Sequence, residues 1–297
     1  MNIVVVGAGK IGLPLACAFA GNGGAVTITD IRQSIVDNIN EGRTPYDEPG
    51  LKERVAEEVA AGRLRASMDT AASVAEANAV VIIVSALLTD ENDIDYGNLD
   101  AASAAVARGL NPGALVSYET TLPVGGCRGH LRPILEKSGL RAGSDFHLVF
   151  SPERVKSKEI FEKLDITPKV VGGFDTDSAA AGVRFYSRYL APEVIDVGTL
   201  EAAEFVKLSS MIYRDVNIGL VNELARYAES NGIDFWPVLA AANTDGETAI
   251  LRPSIGVGGH CTPVYPHFFI RDAARKQGEA EFASLARRVN DRQPAHQ

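Results

Sequence analysis

Of 297 residues only three are cysteine, five histidine and one tryptophan. The cysteines, Cys17, Cys127 and Cys261, stand far apart, which excludes a disulfide framework and a cysteine-built zinc site, fits a reducing compartment and implies no metal. Long hydrophobic runs are missing as well: no apolar stretch approaches the length that spans a bilayer. The opening Met1-Asn2-Ile3-Val4-Val5-Val6-Gly7 lacks the basic start and cleavage site of a secretory leader, so the expected location is cytoplasmic. Basic tracts are also absent. With 38 acidic against 29 basic residues and a net charge of -9, the chain is not expected to partner nucleic acid or membrane, and an anionic ligand must be held by local donors. There is no internal repeat, low-complexity segment or linker.

The 46% hydrophobic content suffices for a full core, and the length fits two domains. Through the first two-thirds, short β-branched runs alternate with amphipathic stretches, the pattern of a Rossmann-like, doubly wound parallel sheet. The expected strands are Ile3–Val6, Ala25–Thr29, Val80–Val84, Leu115–Tyr118, Phe146–Phe150, Val170–Gly172 and Val194–Val197. Helical patterns fall at Ile11–Ala20, Leu99–Arg108 and Ser178–Tyr189. Near Gly198 the rhythm changes. From Leu200 to Ser230 there is no proline and one glycine, Gly219, which predicts a single long helix ended by Asn231-Gly232. Its residues Phe205, Leu208, Ile212, Val216, Leu220 and Leu224 form an apolar stripe suited to helix packing. The expected division is therefore 1–197, a nucleotide-binding α/β domain, and 198–297, an all-helical domain around that helix.

Gly7-Ala8-Gly9-Lys10-Ile11-Gly12 follows the first strand and opens a helix. In that setting the first glycine permits the turn, the second lets a pyrophosphate approach the backbone, and the third lets helix and strand pack closely. Asp30, at the end of the next strand, is placed to accept hydrogen bonds from a ribose diol and to repel a 2'-phosphate. NAD is the expected cofactor, held by Gly7, Gly9, Lys10, Ile11, Gly12 and Asp30, with Arg32 near enough to blunt the preference over NADP.

Near the other end, Cys261 lies in Gly256-Val257-Gly258-Gly259-His260-Cys261-Thr262-Pro263. Glycines let cofactor and backbone come close to a sulfur, and a neighbouring cation such as His260 favours the thiolate. A nucleophilic thiol beside a dinucleotide site points to oxidation beyond an aldehyde, because a thiohemiacetal rebuilds a carbon that can surrender a second hydride. A small buried hydrophobe in a glycine turn fits the same run equally well.

Several segments together resemble the UDP-glucose/GDP-mannose dehydrogenase family of nucleotide-sugar 6-dehydrogenases. They are Asn40-Glu41-Gly42-Arg43-Thr44-Pro45 with Glu48-Pro49-Gly50-Leu51, then Glu119-Thr120-Thr121-Leu122-Pro123-Val124-Gly125 and Ser151-Pro152-Glu153-Arg154-Val155. Ala203-Glu204-Phe205-Val206-Lys207-Leu208, Tyr213-Arg214-Asp215-Val216-Asn217, Asn222-Glu223-Leu224-Ala225 and the run around Cys261 follow in order. The set is most similar to the UDP-N-acetylmannosamine branch. This resemblance implies NAD-dependent oxidation of a primary alcohol, on a nucleotide sugar or nucleoside, to an acid with two NADH released, in polysaccharide or nucleoside biosynthesis. It also implies Cys261 as nucleophile, Lys207 as oxyanion stabiliser, Thr121 holding a water, Glu153 as general base, and a homodimer through the long helix.

Three departures qualify that expectation. Met211 stands where the family has an asparagine, one turn after Lys207, and Tyr265 where it often has an aspartate, four residues after Cys261; both bear on the hydrolysis step. The family also continues into a C-terminal nucleotide-binding domain. The chain stops where that would begin, so it is read as either a shortened chain or a short form with a smaller or partner-held substrate. Two other functions remain open on the sequence: a one-step alcohol or β-hydroxyacid dehydrogenase, and a lapsed NAD-binding protein retained for interaction.

Overall fold

The computed structural model describes residues 1–190, 193–259 and 261–296. Ten strands are present among them: β1 (Asn2–Val6), β2 (Ala25–Thr29), β3 (Leu64–Ser67), β4 (Ala79–Ile82), β5 (Leu87–Leu88), β6 (Ile94–Asp95), β7 (Leu115–Tyr118), β8 (His147–Phe150), β9 (Lys169–Gly173) and β10 (Val194–Thr199). The α-helices are α1 (Gly12–Gly21), α2 (Gln33–Asn40), α3 (Leu51–Ala60), α4 (Thr70–Val74), α5 (Gly97–Gly109), α6 (Arg132–Leu135), α7 (Ile160–Ile166), α8 (Thr176–Tyr189), α9 (Leu200–Ser230), α10 (Phe235–Ala242), α11 (Tyr265–Arg275) and α12 (Glu281–Arg292).

Eight strands form one sheet in the order β10-β9-β8-β7-β4-β1-β2-β3. All neighbours run parallel except β8 and β9, which pair antiparallel, so the expected all-parallel sheet is a mostly parallel one. The order reverses between β1 and β4, the place where open α/β sheets bind ligands. Val5, Val26, Ile28, Val80 and Val81 are buried, because a strand covered by helices on both faces needs apolar side chains on both. Helix α1 is buried along Gly12–Ala20, which explains its apolar composition all round. The four-residue β3 was not among the expected strands: only Leu64 in it is buried, so it carries no apolar run.

By packing, the chain forms two units, 1–86 with 95–207, and 87–94 with 208–297. The change falls inside α9, whose first two turns belong to the first unit. Helix α9 has the predicted bounds. It ends where Gly232, at φ +67, lets Ile233 N bond Ala228 O at 2.9 Å and Gly232 N bond Glu229 O at 3.0 Å, the paired bonds that close a helix on a left-handed glycine. Along the predicted stripe Leu208 is buried, Ile212, Val216 and Leu224 are half-buried, and Phe205 and Leu220 are 48% and 52% exposed.

In the second unit, Asp215, Arg287 and Asn290 form a buried polar cluster: Arg287 Nη1 lies 3.4 Å from Asp215 Oδ1, and Asn290 Nδ2 donates to Asp215 Oδ1 at 2.9 Å. Arg275 pairs with Asp93 at 2.7 Å, fixing the hairpin tip to α11.

Candidate active site

The glycine loop has the geometry its residues require. Gly7 takes φ +109, and a Cβ on Gly12 would lie 2.0 Å from the Gly7 carbonyl oxygen, whereas a Cβ on Gly9 would meet nothing within 4 Å. One glycine is thus demanded by conformation, one by packing, and one faces open space through which a pyrophosphate can pass. Asp30 closes the far side: its Oδ2 accepts from Ala8 N at 3.1 Å. Arg32 is folded onto the same carboxylate, with Nε 3.1 Å from Oδ1 and its amide 3.0 Å away. Burial pushes the Asp30 carboxyl up, but the bonds from Arg32 and from Ala8 N outweigh it and hold the group below its ordinary range. The donor and acceptor set fits NAD: amides for the phosphates and an ionised carboxylate for a ribose diol. Lys10 is exposed.

At the end of β7, Glu119, Thr120 and Thr121 are buried. The segment that follows is anchored from α9, where Glu204 accepts Gly125 N at 2.5 Å and Cys127 N at 2.7 Å. Lys207 lies three residues on, hence on the same helix face. Its Nζ donates to the Glu153 carbonyl at 2.5 Å and lies 3.9 Å from Glu153 Oε2. The other carboxylate oxygen of Glu153 accepts Val155 N. Burial raises the Glu153 carboxyl above its ordinary range, opposed by Lys207, by the Val155 amide and by Lys169. Glu153 also lines a small pocket that is shared with Ile11 of the glycine loop, Glu119 and Lys169. A shielded ammonium beside a carboxyl held above its ordinary range can stabilise an alkoxide and exchange a proton.

Cys261 belongs to the second unit, and Thr121, Glu153 and Lys207 belong to the first. It is half-buried, whereas Cys17 and Cys127 are buried. The Cys261 carbonyl accepts Tyr265 N at 2.9 Å and Val264 N at 3.2 Å at the start of α11. Arg287 Nη1 donates to the next carbonyl, Thr262 O, at 3.4 Å. Both departures from the family pattern are buried: Met211 is 6% and Tyr265 4% exposed. His260, the neighbouring cation of the sequence reading, lies outside the described residues.

The structure thus brings Asp30 and Arg32 onto the glycine loop and Lys207 onto Glu153. It also reveals residues that sequence reasoning missed. Lys169 and Glu119 form a buried ion pair, and Tyr186 Oη donates to Glu119 Oε1 at 2.7 Å; fifty residues separate the pair, and no spacing rule reaches that far. Glu204 carried a signal in its helical offset from Lys207.

Residues 1–190 match the NAD binding domain of the UDP-glucose/GDP-mannose dehydrogenase family, and residues 201–292 its central domain. The chain is 35% identical over 296 residues to the UDP-N-acetyl-D-mannosamine dehydrogenase of Pyrococcus horikoshii, covering 99% of this chain and 69% of that protein. It is 35% identical over 300 residues to the NDP-N-acetyl-D-galactosaminuronic acid dehydrogenase of Ralstonia nicotianae, with coverage of 99% and 69%. Among solved structures, the UDP-D-ManNAc dehydrogenase of Pyrococcus horikoshii matches with a TM-score of 0.94 at 34% identity, over 100% of this chain and 69% of that one. The UDP-glucose dehydrogenase of Pyrobaculum islandicum matches at 0.90 and 27% identity, over 98% and 68%.

Proposed function

The chain belongs to the UDP-glucose/GDP-mannose dehydrogenase family, and from that premise we propose that it oxidises the C6 alcohol of a UDP-N-acetylhexosamine to the carboxylate. It is an NAD-dependent dehydrogenase. The observation that carries the reading is the buried contact of Lys207 with Glu153, which sets a cation and a carboxyl of raised pKa in the unit that holds the dinucleotide loop.

In this reading, amides of the Gly7–Gly12 loop take the phosphates and Asp30 the ribose diol. NAD accepts one hydride in each of two oxidations. Lys207 stabilises the alkoxide as the first hydride leaves. Cys261 Sγ then bonds to the aldehyde carbon while its thiol proton passes to the carbonyl oxygen, and departure of the second hydride from that carbon, with the hydroxyl proton lost to solvent, leaves a thioester on the cysteine. Thr121 holds a water, Glu153 takes its proton, and the C–S bond breaks to release acid and thiol. Residues 1–197 hold cofactor, and 198–297 supply Lys207, Cys261 and the surface for a homodimer. Phe205, Tyr213, Leu220 and Tyr227 favour that surface: all are exposed and share one side of α9. The scarcity of cysteine and the absence, among the described residues, of a helix long and apolar enough to cross a membrane support a cytoplasmic place.

A one-step oxidation is the second reading, favoured by Met211 and Tyr265. A phenol at the second position cannot serve as an anionic base near neutral pH. Supplying NAD and UDP-N-acetylmannosamine, then counting NADH against product by mass spectrometry, separates the two: two NADH per acid supports the proposal, and one per aldehyde removes it. Cys261→Ser should stop acid formation while leaving NAD affinity unchanged.

A further inference from the structure

Residues 44–50 join two loops that hold separate parts of the site. Tyr46 Oη donates to the Ala8 carbonyl, inside the glycine loop, at 2.7 Å and accepts from Arg32 Nη2 at 3.3 Å. Two residues on, Glu48 accepts Lys158 N on Oε2 at 2.7 Å and Ile160 N on Oε1 at 2.9 Å. These amides lie at the start of α7, where helical N–H groups lack partners of their own and where the N-cap residue Glu159 makes no side-chain cap. Between the two anchors, Asp47 receives the Lys158 ammonium on its carboxylate and on its carbonyl oxygen at 2.6 Å. Lys158 is held at φ +71, a left-handed conformation that costs a lysine free energy and persists only where its surroundings impose it. The loop so fastened runs from Ser151 to Glu159 and carries Glu153.

The other end of this connection meets the cofactor position. Both oxygens of Asp30 are engaged: Oδ1 by Arg32 N and Nε, Oδ2 by Ala8 N and Arg32 Nη2. A ribose diol donating to Asp30 replaces Arg32 donors there, which leaves the guanidinium to Tyr46 Oη, its other bonded partner, and so loads the strut.

We propose that Tyr46-Asp47-Glu48 is a strut that couples cofactor binding at the glycine loop to the placement of Glu153, with Tyr46 and Glu48 as positioning residues. It rests on the reading of Glu153 as general base. The strut fixes the loop through the Lys158 and Ile160 amides, so the base is held in register only when the dinucleotide side of the strut is in place.

Amide hydrogen exchange at Lys158 and Ile160, with and without saturating NAD, tests the coupling without turnover. NAD should slow both amides in the wild type by about threefold or more, as expected for a low-stability segment tied down by a ligand, and should fail to do so in Tyr46→Phe. In parallel, Glu48→Gln offers one acceptor oxygen where two are needed and should lower kcat about tenfold, the size expected of a slight misplacement of a reacting group. KM and the NAD Kd should stay within about twofold of wild type, the acid limb of the kcat profile should move, and Glu48→Asp should restore part of the loss. The strut is overturned if NAD leaves the two amides unchanged in the wild type or protects them equally in Tyr46→Phe. It is also overturned if Glu48→Gln lowers Tm but keeps kcat and its pH profile. Full turnover by Glu153→Gln would instead withdraw the role of Glu153, and the exchange result would then judge the coupling alone.

Discussion

Two carboxylates in the first unit each stand beside a buried lysine, and their surroundings make them opposites. Glu119 is saturated: Lys169 reaches one oxygen and Tyr186 the other at 2.7 Å, with Ser117 bonded to the same phenol at 2.7 Å. Glu153 is under-supplied. Its lysine spends its short bond on the backbone carbonyl and stands 3.9 Å from the carboxylate, and burial raises the carboxyl above its ordinary range. A saturated pair holds one geometry, whereas an under-supplied one can change partner. The first organises the sheet, and the second is suited to chemistry.

Substitutions at the two glutamates give the largest test of that contrast. Glu153→Gln should cost about 10²- to 10⁴-fold in acid-forming turnover, the usual share of a general base, with Tm nearly unchanged. Glu119→Gln should do the reverse: breaking a buried, fully bonded pair costs about 3–5 kcal/mol of stability, while whatever protein remains folded keeps its turnover. Thermal unfolding and kcat on both variants settle the matter. A Glu119→Gln protein that is stable but inactive would exchange the two assignments.

The pH profile sharpens the same point. A general base works deprotonated, so activity is present above its pKa and lost as pH falls through it. Because burial raises the Glu153 carboxyl, the acid limb should lie above the range of an ordinary glutamate. Lys207 opposes that rise, so Lys207→Ala should move the limb further upward and, by removing the oxyanion partner, slow turnover about 10²- to 10³-fold. A limb that moves down or stays put would show that the ammonium does not act on this carboxylate.

What was legible in the sequence follows the reach of the forces involved. The glycine loop, Asp30 and the bounds of α9 could be read because each depends on neighbours in the chain: a positive φ at Gly7, a close approach at Gly12, a helix stop at Gly232. The roles of Lys207 and Glu153 came only through family resemblance, and their contact was not legible, since the two stand 54 positions apart in the chain. The pairing of Glu119 with Lys169, the anchoring of Gly125 by Glu204 and the antiparallel turn of β9 were not legible, because long-range packing decides each. How far the stripe on α9 is covered within the chain was not legible for a related reason: helical spacing identifies faces but does not say which face the rest of the protein covers.

Asp30 and Arg32 make a third pair, intermediate in character, with side chains 8% and 56% exposed. It is ion-paired but open to solvent on one side, so it can accept a ribose in exchange for the guanidinium. Asp30→Ala should weaken NAD about tenfold and narrow the preference over NADP, because the repulsion of a 2'-phosphate goes with the carboxylate. Binding titrations of both dinucleotides measure it. Equal affinities in the wild type, unchanged in the variant, would mean that Asp30 does not read the ribose.

The cysteines repeat the contrast between saturated burial and readiness, and here the expected change is smallest. Burial, helped by the charge of Glu58 against a smaller opposing effect of Arg54, pushes the Cys17 thiol up to about 12. Burial and the charges of Glu204 and Glu201 raise Cys127 well above its ordinary value. At pH 8 a thiol near pKa 12 is ionised in roughly one molecule in ten thousand, and only the thiolate attacks an alkylating reagent. Cys261, half-buried, is free of that enclosure. Native alkylation with iodoacetamide should therefore modify one thiol per chain, at Cys261. Cys17→Ala and Cys127→Ala should leave that number at one, and Cys261→Ser should reduce it to none. Alkylation of Cys17 or Cys127 at a rate comparable to Cys261 in the folded protein would show that their burial does not set their reactivity.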